Sequence, residues 1–172
     1  MHSITKEIGI DAAHRVPLHQ SKCRNMHGHR YTIYAEITGE LFQSGPQSNM
    51  VLDFSFMKEL LMKHIDAMCD HGIILASDDS KFIQLGYDSN LWPKFMNYLA
   101  EIHESINIRG FWAGQSAYGK TYIIHGAPTA ENLSQHWFKV LGPEVLKATN
   151  NQAKLIAITV KETPTSIATY RP

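Results

Sequence analysis

The run from His29 to Thr38 constrains the fold of this chain more than any other stretch. It is rich in aromatic and β-branched side chains, a composition that predicts a β-strand. Gly39 and the Gly45-Pro46 pair follow it as turn signals. We therefore expect one long strand that begins at His29 and ends near Gly39.

Further strands are predicted from alternating apolar residues. In Ile4–Ile10 the apolar side chains share one face, and in Lys154–Thr163 three large apolar side chains alternate with smaller or polar ones. Another strand is predicted at Lys120–His125, after a turn or mobile loop over the glycine-rich stretch Gly110–Gly119. These stretches together predict a single sheet.

Two main helices are predicted from apolar residues at helical spacing. The first begins after the N-cap Ser55 and ends near Asp70, and the second runs from Ala130 to about Leu146 after the cap Thr129. The order of the elements predicts an α+β fold, with two main helices on one face of an antiparallel sheet.

Composition excludes several classes of protein. The 172 residues suit a single domain over residues 1–172. The 16 basic residues equal the 16 acidic ones in number, so the chain lacks the basic excess of a nucleic-acid-binding protein. No apolar stretch has the length of a membrane span, and Lys6 and Glu7 fall where a signal peptide needs an apolar core. We therefore expect a cytoplasmic protein that binds neither membrane nor nucleic acid.

Three histidines have the spacing of metal ligands. His27 and His29 are two residues apart at the start of a strand, so both imidazoles lie on the same face. With His14 from a neighbouring strand they form a three-histidine set that leaves one coordination position open, as in catalytic zinc sites. Ordinary polar roles for these histidines are the alternative. Such ordinary roles are expected for six further histidines, namely His2, His19, His64, His103, His125 and His136.

Cys23 lies close to this set in the sequence. A thiol beside a metal and basic residues can lose its proton near neutral pH, which makes it a candidate base or nucleophile. The alternative is a small, half-buried apolar side chain. Cys23 and Cys69 are too few for a disulfide framework, so both are expected as free thiols.

Several motifs occur together in a characteristic order. Besides His14 and the Cys-x₃-His-Gly-His pattern, they are Glu36–Glu40, Asp53-Phe54, Asp70-His71, Pro128–Asn132 and Val160–Thr163. In this order they resemble the 6-pyruvoyl-tetrahydropterin synthase superfamily. They are most similar to its bacterial branch, the 6-carboxy-5,6,7,8-tetrahydropterin synthases of queuosine biosynthesis.

The resemblance implies a T-fold whose subunits form homo-oligomers with active sites at their interfaces, a hexamer built as a dimer of trimers. It also implies a role for each motif residue. These are zinc ligands at His14, His27 and His29, a proton acceptor at Cys23, a charge-relay pair at Asp70 and His71, a pterin anchor at Glu162, and further substrate contacts at Glu131 and Thr129. Without the resemblance, Asp70 could simply end a helix and Glu162 could be an exposed strand residue.

The implied activity is that of a zinc-dependent lyase. Its substrate would be 7,8-dihydroneopterin triphosphate, and its products 6-carboxy-5,6,7,8-tetrahydropterin, triphosphate and acetaldehyde. One alternative is the 6-pyruvoyl-tetrahydropterin synthase reaction, which retains the side-chain carbons. Another is a non-catalytic, zinc-stabilised module that binds pterins.

The segment Ala76–Gly119 differs from the pattern of this superfamily, because it looks like an insertion relative to its compact bacterial members. Phe111, Trp112 and Tyr118 could form a lid over a flat ring, although packing is the simpler interpretation. Basic residues near the metal set could meet the triphosphate; these are Arg15, Lys22 and Arg24.

Overall fold

Seven strands form one continuous sheet in the computed structural model, which describes every residue from Met1 to Pro172. The strands are β1 (His2–His14), β2 (His27–Gly39), β3 (Gly72–Ala76), β4 (Phe111–Ser116), β5 (Gly119–Ile124), β6 (Ala153–Thr163) and β7 (Ser166–Tyr170). The helices are α1 (Phe54–Leu61), α2 (Ala67–Cys69), α3 (Ser80–Leu85), α4 (Phe95–Arg109) and α5 (Ala130–Ala148). A π-helical turn, Met62–Asp66, joins α1 to α2.

The strand order is β4-β5-β3-β1-β2-β6-β7. Strands β1, β2, β6 and β7 pair antiparallel, as predicted. However, β3 runs parallel to both β1 and β5, so the whole sheet is mixed rather than antiparallel throughout. A period of two shows which side chains share a face but not the direction of a strand, and the long helical connection before β3 permits a parallel pair.

The main core lies between the sheet and the two main helices. Met57 and Leu61 of α1 and Leu133 and Trp137 of α5 are fully buried against this face. The prediction of two main helices on one face is therefore confirmed. None of the helices combines the length and the apolarity that a membrane span requires.

The segment 76–119 covers the opposite face of one half of the sheet. Tyr98 and Ile102 of α4 pack with Ile73, Trp112 and Ile123 in a second, smaller core. Phe111 and Trp112 are 6% and 1% exposed, because neighbouring residues of a strand enter the cores on opposite faces. The packing interpretation is confirmed for Phe111 and Trp112, whose burial leaves neither free to act as a lid, while Tyr118 is 38% exposed.

Several boundaries differ from prediction. The predicted loop Gly110–Gly119 is wrong, since these residues form β4 and the turn into β5. Gly110 precedes β4 and Gly119 follows the turn after it, and both have positive φ angles, which glycine adopts easily. The glycines are therefore explained by backbone conformation rather than by a mobile loop. Asp53 rather than Ser55 caps α1, because its side chain accepts a 2.7 Å hydrogen bond from the Ser55 N–H. The cap at Thr129 is confirmed.

Candidate active site

The candidate site lies where the apolar stripe of the main core changes to polar residues. On β1 the buried positions Ile10 and Ala12 are followed by His14, and on β6 the buried Ile158 and Val160 are followed by Glu162. Because side chains alternate along a strand, both polar residues point to the same face as the core. The site is therefore a continuation of the core rather than a loop cluster.

Strand pairing brings the three histidines together. His14 of β1 is directly opposite His27 of β2, and Ala12 is opposite His29. The ligand atoms of the three side chains all lie within 4.8 Å of one another. The predicted three-histidine group is thus present at one end of the β1–β2 hairpin.

Backbone carbonyls fix the orientation of two of the rings. His14 Nδ1 donates to the Pro128 carbonyl and His27 Nδ1 to the Asn25 carbonyl, each over 2.8 Å. Each Nδ1 must carry the proton to do so, which leaves a lone pair on each Nε2. This is the second-sphere arrangement expected of imidazoles that bind a metal.

The space between the rings fits a metal ion. His14 Nε2 and His27 Nε2 are 3.1 Å apart, and two facing lone pairs at that distance repel unless a cation or proton lies between them. Two nitrogens on one tetrahedral zinc ion are about 3.3 Å apart, given zinc–nitrogen bonds of about 2.0–2.1 Å. The donor set therefore suits zinc, although other divalent ions also accept imidazole ligands.

His14 is the most buried of the three, with 2% of its side chain exposed. Its pKa is lowered to about 4, mainly by burial; the bond to Pro128 opposes this shift, and the nearby His27 and His29 add to it. The ring is consequently neutral at physiological pH, the form that binds metals.

A cavity of about 420 Å³ opens beside His14 and contains five of the predicted residues. Its lining comprises His14, Val16, His19, Cys23, Thr129, Ala130, Glu131, Glu162, Thr165, Ser166, Ile167 and Ala168. One metal ligand, the candidate base, the candidate anchor and both further contact residues therefore share one space.

Local structure places Cys23 and Glu162 in this cavity. Half-buried Cys23 lies in the 3-10 turn Lys22–Arg24, and its carbonyl accepts a 2.8 Å hydrogen bond from the Val16 N–H. Glu162 lies two residues after the buried Val160 on β6, at the point where the pairing of β6 with β7 shifts register. Glu162 Oε1 lies 3.6 Å from His14 Nε2 and 3.9 Å from His29 Nε2.

Asp70 and His71 form the predicted pair, but His71 lines a different cavity. His71 Nδ1 lies 2.7 Å from Asp70 Oδ2, and Asp70 Oδ1 accepts from the Asp11 N–H over 2.8 Å. The Asp11 N–H, followed by the bond to His71, holds the pKa of Asp70 below its ordinary value. His71 lines a second, open cavity with Gly28, Arg30 and the candidate ligand His29.

Three features of the site were missed by the sequence predictions. Tyr31 packs edge-on against His14 and His29, and its buried hydroxyl has no hydrogen-bond partner. Burial, followed by the charge of Glu162, raises its pKa. His19 and the short strand β7 line the cavity. Tyr31 could have been recognised, since it continues the alternation of His27 and His29.

Arg15, one of the three basic residues expected near the triphosphate, does not line the candidate cavity. Arg15 Nη1 lies 3.4 Å from Asp79 Oδ2, and both side chains are largely buried. The guanidinium also lies 4.4 Å from the centre of the Phe82 ring. Arg15 is thus engaged with the segment 76–119, while Lys22 and Arg24 remain exposed.

Comparison with known proteins places this arrangement in a family. A profile described as 6-pyruvoyl tetrahydropterin synthase matches residues 3–172. The chain belongs to the 6-pyruvoyl tetrahydropterin synthase family. Membership places it among the tetrahydropterin synthases, which are lyases.

Two relatives of this synthase family carry a narrower name. A 6-carboxy-5,6,7,8-tetrahydropterin synthase from Haemophilus influenzae is 29% identical over 171 residues, covering 99% of both chains. One from Rickettsia conorii is 31% identical over 150 residues, covering 87% of each chain. The Haemophilus alignment includes the segment 76–119, so this segment is not peculiar to the present chain.

Solved structures share the T-fold of the synthase family. An uncharacterized protein from Wolinella succinogenes superposes with a TM-score of 0.68 at 20% identity, covering 99% of this chain and 97% of the other. The 6-pyruvoyl tetrahydropterin synthase of Caenorhabditis elegans gives a TM-score of 0.59 at 21% identity, covering 99% and 95%. At these identities the likeness concerns the fold alone.

Proposed function

We propose that this chain is a zinc-dependent 6-carboxy-5,6,7,8-tetrahydropterin synthase of queuosine biosynthesis, acting in the cytoplasm. It would convert 7,8-dihydroneopterin triphosphate to the carboxylated tetrahydropterin, with release of triphosphate and acetaldehyde. The supporting observation is the convergence of His14, Cys23 and Glu162 on one cavity, in a chain that aligns almost completely with a synthase of that name.

The metal ligands in this proposal are His14, His27 and His29. Three neutral imidazoles leave a zinc coordination position for substrate oxygens, and a bound zinc ion acts there as a Lewis acid that makes the neighbouring protons more acidic. Pro128 and Asn25 keep two of the rings turned toward the ion through their carbonyls.

Glu162 anchors the pterin ring. Its carboxylate can accept two parallel hydrogen bonds, one from the exocyclic amino group and one from a ring N–H. Thr129 and Glu131 lie at the start of α5 beside the same cavity and supply further polar contacts. The substrate side chain then extends toward His14 and Cys23.

Cys23 accepts a proton from the substrate side chain. Its half-buried position in the cavity beside His14 supports this role, and the group of side chains able to share a metal ion comprises the three histidines without Cys23. Elimination of triphosphate and cleavage of the carbon–carbon bond both require such proton transfers.

The second acid–base group is His71, oriented by Asp70. With Nδ1 held by Asp70, the exposed ring presents Nε2 for proton transfer. Because His71 and Cys23 line different cavities of one chain, we infer that a second copy supplies His71 to each site. The assembly is a homo-oligomer, which the family resemblance indicates as a hexamer made of two trimers.

The test is to incubate the purified, zinc-loaded protein with dihydroneopterin triphosphate and to follow pterin mass and acetaldehyde together. We expect acetaldehyde in equal amount to a carboxylated tetrahydropterin. A diketo pterin without acetaldehyde would instead indicate 6-pyruvoyl-tetrahydropterin synthesis. Binding without turnover would indicate a non-catalytic pterin-binding module, and either result would overturn the proposal.

A further inference from the structure

We propose that Asp79 is a positioning residue for the active site, acting through a buried ion pair with Arg15. The pair connects the segment 76–119 to the end of β1, where His14 lies. In this role the segment holds both His14 and the loop that carries Cys23. The proposal rests on the proposed function, because it assumes that these two residues serve zinc binding and proton transfer.

The pair is enclosed by the protein. The side chain of Asp79 is 5% exposed and that of Arg15 is 13% exposed, with 3.4 Å between Oδ2 and Nη1. The Phe82 ring covers the guanidinium at 4.4 Å, and Tyr118 stacks on Phe82 and donates from its hydroxyl to the Phe82 carbonyl over 3.1 Å. Water therefore has little access to either charge.

Each partner depends on the other. Asp79 Oδ2 and Arg15 Nε have no hydrogen-bond partner. Removal of one charge would leave the other buried and uncompensated, which strongly favours a local rearrangement toward water. The end of β1 would have to move in that rearrangement, because Arg15 follows it directly.

The position of Asp79 gives a second, independent observation. It occupies the N-cap of α3, where an aspartate side chain ordinarily accepts a hydrogen bond from the first turn. No such bond is formed here. The carboxylate faces Arg15 instead of capping its own helix, so the local stability of α3 does not explain its orientation.

The backbone of residues 14–16 connects the Arg15–Asp79 ion pair to the candidate site. His14 directs its side chain into the main core, whereas Arg15 directs its side chain to the segment 76–119. The next residue, Val16, donates its N–H to the Cys23 carbonyl over 2.8 Å. Three consecutive residues thus link Asp79, a metal ligand and the candidate base.

The experiment compares Asp79→Asn with Ser105→Ala in the full-length chain. Ser105 belongs to the same segment, where its buried hydroxyl donates to the Phe111 carbonyl over 2.7 Å, but it touches no residue of the site. Both variants lose a buried polar interaction, so a general loss of stability affects both. Thermal unfolding is measured for each to verify the match.

Two measurements report on the site without turnover. Zinc affinity is determined by competition with a chromogenic chelator, and we expect Asp79→Asn to weaken it about tenfold, as loss of outer-sphere support typically does. Iodoacetamide alkylation of the zinc-free protein reports on Cys23, because Cys69 is fully buried. We expect this rate to rise by about threefold or more as the loop loosens.

Ser105→Ala should leave both quantities near those of the parent protein. The proposal is overturned if Asp79→Asn does the same, or if Ser105→Ala changes both equally. If Asp79→Asn does not fold, Phe82→Leu is measured instead, because it removes the ring beside Arg15 and keeps both charges. Unchanged zinc affinity and an unchanged alkylation rate in that variant overturn the proposal. Failure of the parent protein to bind zinc would instead count against the proposed function. The positioning role of Asp79 would still be tested in that case, because alkylation of Cys23 is measured without the metal.

Discussion

His14 shows how one residue can join the core to the chemistry. Its ring is buried at the end of the apolar stripe, its Nδ1 is fixed by Pro128, and its Nε2 faces His27 and Glu162. Burial keeps the ring neutral by lowering its pKa to about 4. The same burial that completes the core therefore prepares a metal ligand.

The proposed function gives Cys23 and His27 different roles, proton transfer and metal binding. We expect Cys23→Ala to reduce turnover by about a hundredfold or more while zinc stays bound, because a proton acceptor is lost and no ligand is. His27→Ala should lose both zinc and turnover. The measurements are steady-state acetaldehyde release and zinc content after dialysis.

The buried Cys69 is the matched control, since Cys69→Ala removes the other thiol of the chain. It should retain turnover and zinc. Loss of zinc from Cys23→Ala would show that the thiol is a ligand, contrary to the assignment.

Helix α5 links the site to the core at the scale of elements. Its first residues lie beside the cavity, while further along His136 Nε2 lies 2.8 Å from the Tyr122 hydroxyl of β5. Burial, with a smaller contribution from Lys139, lowers the pKa of His136 to about 4. The packing of α5 on the sheet thus includes a histidine that must stay neutral.

This contact predicts a loss of stability in acid. Between pH 6.5 and 4 the unfolded chain takes up a proton at His136 before the folded chain does, so unfolding becomes more favourable as the pH falls. The loss is about 3 kcal/mol once protonation is complete. It is absent above pH 6.5, where both states are neutral.

Urea unfolding of the zinc-free protein at pH 7 and pH 4.5 measures this effect. His136→Gln should lessen the difference between the two values, whereas His103→Gln, on the exposed side of α4, should leave it unchanged. An equal pH dependence in all three proteins would contradict the assignment. Some dependence remains in any case, because His14 has a similarly lowered pKa.

At the scale of the whole molecule, the separation of Cys23 from His71 is decisive. The two residues line different cavities near the end of the β1–β2 hairpin where His14 pairs with His27. A site that uses both is therefore completed by a second copy of the chain.

Mixing two inactive variants tests this arrangement. Cys23→Ala and His71→Ala should each lack turnover, but an equal mixture that is unfolded and refolded together should recover about a quarter of the parent activity, since one site in four combines two intact residues. Acetaldehyde release measures the recovery. No recovery from mixed oligomers, verified by differently tagged chains, would mean that each site lies within one chain.

Local patterns were sufficient for much of the fold and for the contents of the site. Alternation predicted the core faces of β1 and β6, composition predicted β2, and the period of two along a strand indicated that His27 and His29 share a face. Strand β3 was missed because five residues are too few for a clear pattern. The β4 hairpin was mistaken for a loop because residues buried on both faces show no alternation.

The sequence by itself determined the α+β class, the two main helices and the identity of the candidate ligands, since these follow from local periodicity and motif order. Only the tertiary structure decided that β3 runs parallel to β1, that Arg15 pairs with Asp79, and that His71 and Cys23 line different cavities. Each of these depends on how distant segments meet across the sheet. Local side-chain patterns contain no information on the direction, partner or face chosen by a segment dozens of residues away.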